Sequence, residues 1–210
     1  MRLGVRLPLE QLAPYLLAVP DPPGLLDFQA VFGNSHPVEL EIGFGKGLFL
    51  LNSATSRPAV NFLGVEIERK YQLFTANRIA KRSLANVRLV CADARTFFRD
   101  CIPSDSVQAI HVYFPDPWWK QRHKKRRLWT PDFAAQCSRV LRPSGRLQAA
   151  TDVEEYFEVI ATLLAKLPRL RPLPTPADKT PAHDLDFLTN FERKSRRAGK
   201  PVYRTVHEKE

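Results

Sequence analysis

Four acidic residues, Glu41, Glu66, Asp93 and Asp116, recur along the chain at separations of 25, 27 and 23 residues. Each falls at or just past the end of a short apolar run of strand length. A carboxylate placed there is an acceptor for hydroxyls or amines and a neighbour for positive charge. Between the first two lies a glycine loop, Gly43-Phe-Gly-Lys-Gly47. Dinucleotide folds use G-x-G-x-x-G, whose third glycine lets a helix pack beside a pyrophosphate. Here the spacing is G-x-G-x-G, position 48 is Leu, and acids surround the loop, so a phosphate is a poor fit. A ligand with a ribose, an amino-acid tail and a positive centre fits better, and S-adenosylmethionine has all three. Glu66 is then expected to accept the ribose hydroxyls and Asp93, with Ala94 beside it, to meet the adenine. Glu41 is expected near the amino-acid or sulfonium end, over Gly43 and Gly45.

The elements that must position these residues follow a regular rhythm from Val38 onward. Val38 to Ile42, Asn61 to Val65, Val87 to Cys91, Gln108 to Val112 and Leu147 to Thr151 read as strands. Helices are expected from Leu48, over Arg69 to Arg82, and over Pro131 to Leu141, where Thr130 can cap and Pro131 suits the first turn. Val153, Tyr156, Phe157, Ile160, Leu163, Leu164 and Leu167 form a further helical stripe. Residues 1–36 are Pro-rich and read as an irregular arm, and 168–183, with five prolines, as a loop. A short element ends in Val202 to Val206. Alternation of this kind implies a mostly parallel α/β sheet, with every strand's C-terminal end on one edge, where ligands bind.

Asp116 stands between Pro115 and Pro117 and just before Trp118 and Trp119. Asp-Pro is a common turn, but here rigid prolines would fix one carboxylate beside two rings able to stack an extruded base. The run that follows, Lys120 to Arg127, holds six Lys/Arg and no acid. It reads either as a solvated loop or as phosphate contacts that orient a large RNA. Asp152-Val-Glu-Glu155 reads as a helix N-cap, and Thr189-Asn-Phe-Glu192 as a capping box. The five histidines show no metal-ligand spacing, so no metal site is assigned.

Composition sets the broader class. Of 32 basic residues, six lie in 120–127 and six in 193–204; without those stretches the balance is 20 basic to 22 acidic. A near-neutral body with two basic patches points to nucleic acid rather than to general solubility. Apolar residues at 44% supply a core and exclude wholesale disorder. Cys91, Cys101 and Cys137 form no C-x-x-C pair, which excludes a disulfide framework or zinc ribbon and fits a reducing cytoplasm. The longest apolar stretch near the start, Leu12 to Val19, is broken by Pro14 and far too short to span a bilayer. A cytoplasmic protein with no membrane association is expected.

The segment Tyr113-Phe-Pro-Asp-Pro-Trp-Trp-Lys120, followed by Gln-Arg-His-Lys-Lys-Arg-Arg127, closely resembles the bacterial tRNA (guanine-N7-)-methyltransferases. The likeness runs from about Leu26 to Tyr203. It includes Leu40 to Gly47, Asn61 to Glu66, the Asp93 strand end, Thr151-Asp152 and Thr189 to Glu192. It implies a seven-stranded Rossmann-like methyltransferase fold, with residues 1–25 as an arm and 26–210 as one domain. It also implies S-adenosylmethionine as cofactor and tRNA as partner, methylated at N7 of guanine 46 in the variable loop; the sequence is compatible with either a monomer or a homodimer. Matching positions place Glu41, Glu66, Asp93 and Asp116 on the cofactor, with Asp116 also catalytic. They place Lys120, Arg122, His123, Lys124, Lys125, Arg126, Arg127, Asp152, Thr189, Asn190, Phe191 and Glu192 on tRNA. Trp119 departs from the Pro or His of the family pattern, and the arm before residue 26 matches nothing in it. Two other functions fit parts of the sequence: an exocyclic-amine (adenine N6 type) methyltransferase, and a non-catalytic RNA-binding Rossmann module.

Overall fold

A computed structural model describes residues 6–118, 122, 126–175 and 189–210. Its centre is a sheet in the order β1-β4-β3-β2-β5-β6-β8-β7. The inner strands β2 (Val38–Ile42), β3 (Asn61–Glu66), β4 (Val87–Cys91), β5 (Val107–Tyr113) and β6 (Leu141–Thr151) are mutually parallel. β2 and β3 are buried at every position, as strands with both faces covered must be. The C-terminal strand β8 (Tyr203–Lys209) runs antiparallel between β6 and β7 (Leu170–Leu173).

Two helical layers follow from this winding. α3 (Leu48–Ser56) and α4 (Arg69–Ala80) pack one face, with Leu50, Leu51, Ala76 and Ile79 buried against Phe62 and Leu89. α5 (Ala94–Cys101), α6 (Pro131–Val140) and α7 (Glu154–Ala165) cover the other, where Phe97, Phe133 and Ile160 join Ile110 and Val112. β2 pairs with β3 on one side and β5 on the other, so the winding reverses there. That reversal opens a crevice above the C-terminal ends of β2 and β5.

Three expectations are corrected. The sheet has eight strands because part of the supposedly irregular arm folds onto it. Leu9–Leu12 forms α1, a 3-10 turn follows, and Leu16–Leu17 (β1) pairs with β4 at the edge. A second short helix in the arm, α2 (Phe28–Phe32), is capped by Asp27 and closed by Gly33 in the left-handed region (φ 72°). The proline-rich stretch from 168 contains the strand β7, where Pro172 is tolerated because β7 is an edge. The rest of that stretch from 176 lies outside the described residues. Asp152 is not a helix cap: Val153 occupies the cap of α7 with no side-chain bond, and Thr151 Oγ1 accepts the Val153 N–H at 3.3 Å.

Candidate active site

The four strand-end acids do converge on one edge. Glu41 and Glu66 are buried on adjacent strands, Asp93 begins α5, and Asp116 follows β5. The glycine loop lies among them. Gly43, Gly45 and Gly47 all have positive φ (73°, 50° and 66°), which side chains rarely adopt. A Cβ on Gly47 would lie 2.3 Å from Thr75, so only glycine lets the loop close against α4. A Cβ on Gly43 would meet nothing within 4 Å, so that side of the loop is open space.

Glu66 organises the loop. Its Oε2 accepts the Gly45 N–H at 3.0 Å, and its Oε1 accepts the Glu68 N–H at 3.1 Å. Glu41 is the contrast. It is buried, and its Oε2 has no hydrogen-bond partner among the described residues. Burial first, then the nearby Glu66 charge, push its pKa up to about 8, against the pull of the Leu50 backbone N–H. At neutral pH this carboxyl is mostly protonated and lacks the positive neighbour that would ionise it.

Asp93, just past the C-terminal end of β4, is engaged by the helix that follows it. It caps α5 through the Arg95 N–H (2.9 Å), and its two oxygens hold the Arg95 guanidinium at 3.1 and 2.6 Å. The Arg95 hydrogen bonds hold its carboxyl below the usual range despite partial burial. α5 is an element that the sequence reading lacks, although Asp93 before Ala94 followed by Phe97, Phe98 and Cys101 on one face is a legible signal.

Asp116 sits on a turn pinned from several sides. Phe114 and Trp118 both have positive φ (53° and 43°) and bracket Pro115-Asp116-Pro117. The Phe114 N–H bonds Ala150 O at 2.7 Å, tying the turn to β6. Arg127 Nε donates to Pro117 O at 2.7 Å while its guanidinium lies 5.1 Å from the Tyr156 ring centre on α7. Arg126 covers the Trp118 ring at 5.3 Å. The Asp116 carboxylate is left exposed at the tip. Lys120, His123, Lys124, Lys125 and Trp119 lie outside the described residues, whereas Arg122 is described and exposed.

A second cluster gathers Asp152 with residues 189–192. Thr189 caps α8 (Asn190–Arg197), accepting the Glu192 N–H at 3.0 Å, as its capping box predicts. The Glu192 side chain is buried and pairs with Arg196 at 2.8 Å and with Arg204. Asp152 Oδ2 accepts the Ser195 hydroxyl at 2.8 Å, with Lys200 at 3.8 Å. Both acids therefore hold α8 against β6 and β8. Asn190 is half-buried, and Phe191 is 56% exposed with Lys194 5.5 Å from its ring centre.

Below Glu41 on the same face, a polar chain joins β2 to β5. Arg57 reaches Glu39 (2.6 Å), Glu39 reaches His111 (2.9 Å), and His111 reaches Tyr113 (3.0 Å), beside a cavity of about 500 Å³. Burial alone would raise the Glu39 pKa, but His111 and Arg57 outweigh it and hold it low. Burial outweighs Glu39 at His111 and keeps the imidazole neutral. These charges are matched among themselves, and the chain serves to fix the strands beneath the crevice.

Comparison with known proteins decides the family. Residues 35–205 match a family described as "Putative methyltransferase". A tRNA (guanine-N(7)-)-methyltransferase of Rhodopirellula baltica is 43% identical over 208 residues, covering 96% of this chain and 77% of that protein. The chain belongs to the tRNA (guanine-N7-)-methyltransferase family. A second such methyltransferase, from Burkholderia vietnamiensis, is 38% identical over 98% of this chain and 80% of its own length. Among solved structures, the 16S rRNA methyltransferase KamB aligns with a TM-score of 0.60 at 18% identity, covering 88% of this chain and 94% of that one. The aminoglycoside resistance methyltransferase NpmB1 aligns with a TM-score of 0.58 at 17% identity, covering 87% and 92%. These two likenesses show the methyltransferase fold, and the family and its further structural neighbours make S-adenosylmethionine the cofactor.

The crevice fits that cofactor. Glu41 is a buried carboxyl with an unmatched oxygen, suited to a ligand that brings positive charge. Gly43 opens onto free space and Glu66 retains acceptor capacity beside it. Among the described residues no group of three or more His, Cys, Asp or Glu side chains is arranged to hold a metal. Nor is any described helix long and apolar enough to cross a membrane.

Proposed function

We propose that this methyltransferase acts on N7 of guanine 46 in the variable loop of tRNA, with Asp116 at the centre of the site. The observation that carries the reading is Asp116 itself. It is an exposed carboxylate on a turn fixed by Arg127 and by the bond to Ala150, beside the crevice, in a member of this family.

S-adenosylmethionine, when bound, supplies an activated methyl group on a cationic sulfur. Glu66 accepts ribose hydroxyls and keeps the glycine loop in place through Gly45. Asp93 and the backbone at Ala94 frame the adenine, with the Asp93 carboxylate already oriented by Arg95. Gly43 and Gly45 leave room for the amino-acid tail, and Glu41 gives up its proton and supplies negative charge once the cationic sulfonium end lies beside it.

Guanine N7 carries an in-plane lone pair and no proton, so no residue has to act as a base. The methylated ring is cationic. Asp116 accepts hydrogen bonds from the guanine edge and favours that growing charge, while its rigid turn holds the base in line. Trp118, its ring backed by Arg126, offers a surface against which the base is stacked. Lys120, Arg122 and the run to Arg126 meet phosphates, as do the basic residues of α8, and Asn190 and Phe191 lie at the exposed corner of the second cluster. Asp152, Thr189 and Glu192 position that corner rather than standing free for RNA.

The test of the site on tRNA is methyl incorporation into an unmodified transcript. A transcript with guanine 46 replaced by adenine should accept no methyl group, while the parent transcript should. Equal incorporation into both would refute the assignment to position 46.

A further inference from the structure

Beyond residues 120–127 and 193–204, positive charge is concentrated on α4 and the turn after it. Residues 69–82 hold Arg69, Lys70, Arg78, Lys81 and Arg82 and no acid. Setting this stretch aside with 120–127 and 193–204 leaves 15 basic residues against 22 acidic ones, so the charge is segregated rather than spread. One side of the helix, Gln72, Thr75, Ala76 and Ile79, is buried. The opposite side presents Lys70, Tyr71, Phe74, Arg78 and Lys81 at helical spacing. Two of its cations lie over rings: Lys70 Nζ is 5.2 Å from the Tyr71 centre and the Arg78 guanidinium 5.9 Å from that of Phe74. Phe74 remains 36% exposed on this charged surface. Glu68, just before the helix, is neutralised by Lys70 at 3.2 Å.

We propose that this face of α4 is a second RNA-docking surface, taking the phosphate backbone of the same tRNA whose guanine reaches Asp116. Its basic side chains meet phosphates, and Tyr71 and Phe74 lie against sugar or base faces. The proposal rests on the tRNA reading above and extends it to a surface that the family motifs do not include. Position supports it. α4 starts three residues after Glu66, on the edge that carries Asp116. β3 lies two strands from β5, a lateral distance of about 10 Å. From there the helix runs about 18 Å along the flank. A folded RNA seated at Asp116 spans that distance easily. α8, with its own basic residues, is tied to β6 and β8 on the other side of β5, so two limbs of one RNA can be gripped at once. An anionic membrane is the less suitable occupant, because the rings lie beneath cations instead of projecting as a wedge.

The full-length chain carrying Lys70→Gln, Lys81→Gln and Arg82→Gln tests this. All three residues are exposed, and none belongs to the cofactor crevice or the Asp116 turn. Thermal unfolding and S-adenosylmethionine affinity should match wild type. Affinity for unmodified tRNA should fall about tenfold at 0.1 M salt, and the slope of log affinity against log salt should become shallower by about 2. The single variant Lys81→Gln should show about a third of that change in slope. Unchanged affinity and slope in the triple variant, with wild type binding tRNA normally, would overturn the α4 surface alone. So would loss of binding only to vesicles containing anionic phospholipid. A wild-type chain that bound no tRNA would instead sink the underlying reading.

Discussion

Gly45 donates its backbone N–H to Glu66 Oε2 at 3.0 Å, so the residue proposed to hold the ribose also holds the loop beside it. Replacing Glu66 therefore removes an acceptor and loosens the crevice in one step. A hydrogen bond to a charged group contributes about 1.5–3 kcal/mol, equivalent to about one to two decades of affinity. Glu66→Ala should weaken S-adenosylmethionine binding by that factor in calorimetry while the fold is retained. Unchanged binding in a folded variant would remove Glu66 from the ribose site.

Glu41 makes binding depend on pH in a defined direction. Its carboxyl is protonated in the folded chain up to about pH 8, and a cationic ligand beside it favours the ionised form. S-adenosylmethionine affinity should therefore rise with pH between about 5 and 8, with proton release on binding. The linkage to stability has the opposite sense. A carboxyl whose pKa is raised on folding stabilises most below its unfolded value near 4.5, and that contribution is lost as pH rises to about 8. The loss is on the order of 3–5 kcal/mol. Glu41→Gln should flatten both profiles, which calorimetry in two buffers of different ionisation enthalpy and thermal unfolding against pH would read.

Arg127 and the lysines before it should behave differently although all belong to one basic run. Arg127 is committed to Pro117 O and to the Tyr156 ring, so it positions the Asp116 turn. Arg127→Gln removes the charge together with the fork and the stacking. It should lower kcat about tenfold, about 1.4 kcal/mol of barrier, and leave the salt dependence of tRNA binding alone. Neutralising Lys124 and Lys125 should do the reverse, making the salt slope shallower by about 0.7–0.9 for each phosphate that goes unpaired. Matching effects in the two variants would mean that Arg127 is one more phosphate ligand.

The parallel strands were legible because their apolar runs end in acids at nearly equal spacing, which places Glu41, Glu66, Asp93 and Asp116 on one edge by topology alone. What escaped were elements whose reasons lie elsewhere in the chain. β1 and β7 are short edge strands recruited by β4 and β8, and prolines around them mimic loops. Asp152 looks like a cap because Glu155 follows it, yet its carboxylate is drawn to Ser195, 43 residues on. Arg127 reads as one more charge for RNA, because no local pattern announces a bond to Pro117 or a ring on α7. Glu41 falls on the expected edge, but its protonation depends on burial and on Glu66, which spacing does not reveal.

Asp116 should be indispensable for turnover but not for binding. Its exposed carboxylate caps no helix among the described residues and lies outside the core, so Asp116→Ala should fold and bind tRNA while losing most activity. Asp116→Asn keeps the size and loses the charge, and should also be strongly impaired. Near-normal turnover in Asp116→Ala would mean that another group orients the guanine.

The atom that receives the methyl group tests the central claim most directly. Wild-type chain, unmodified tRNA and methyl-labelled S-adenosylmethionine are incubated, and the RNA is digested to nucleosides for identification of the labelled product. N7 transfer leaves a cationic guanine ring, which also renders the RNA cleavable by reduction followed by aniline. The expected result is label in N7-methylguanosine together with cleavage at a single guanine. Label recovered on the exocyclic amine of adenine, with no aniline-sensitive site, would contradict it.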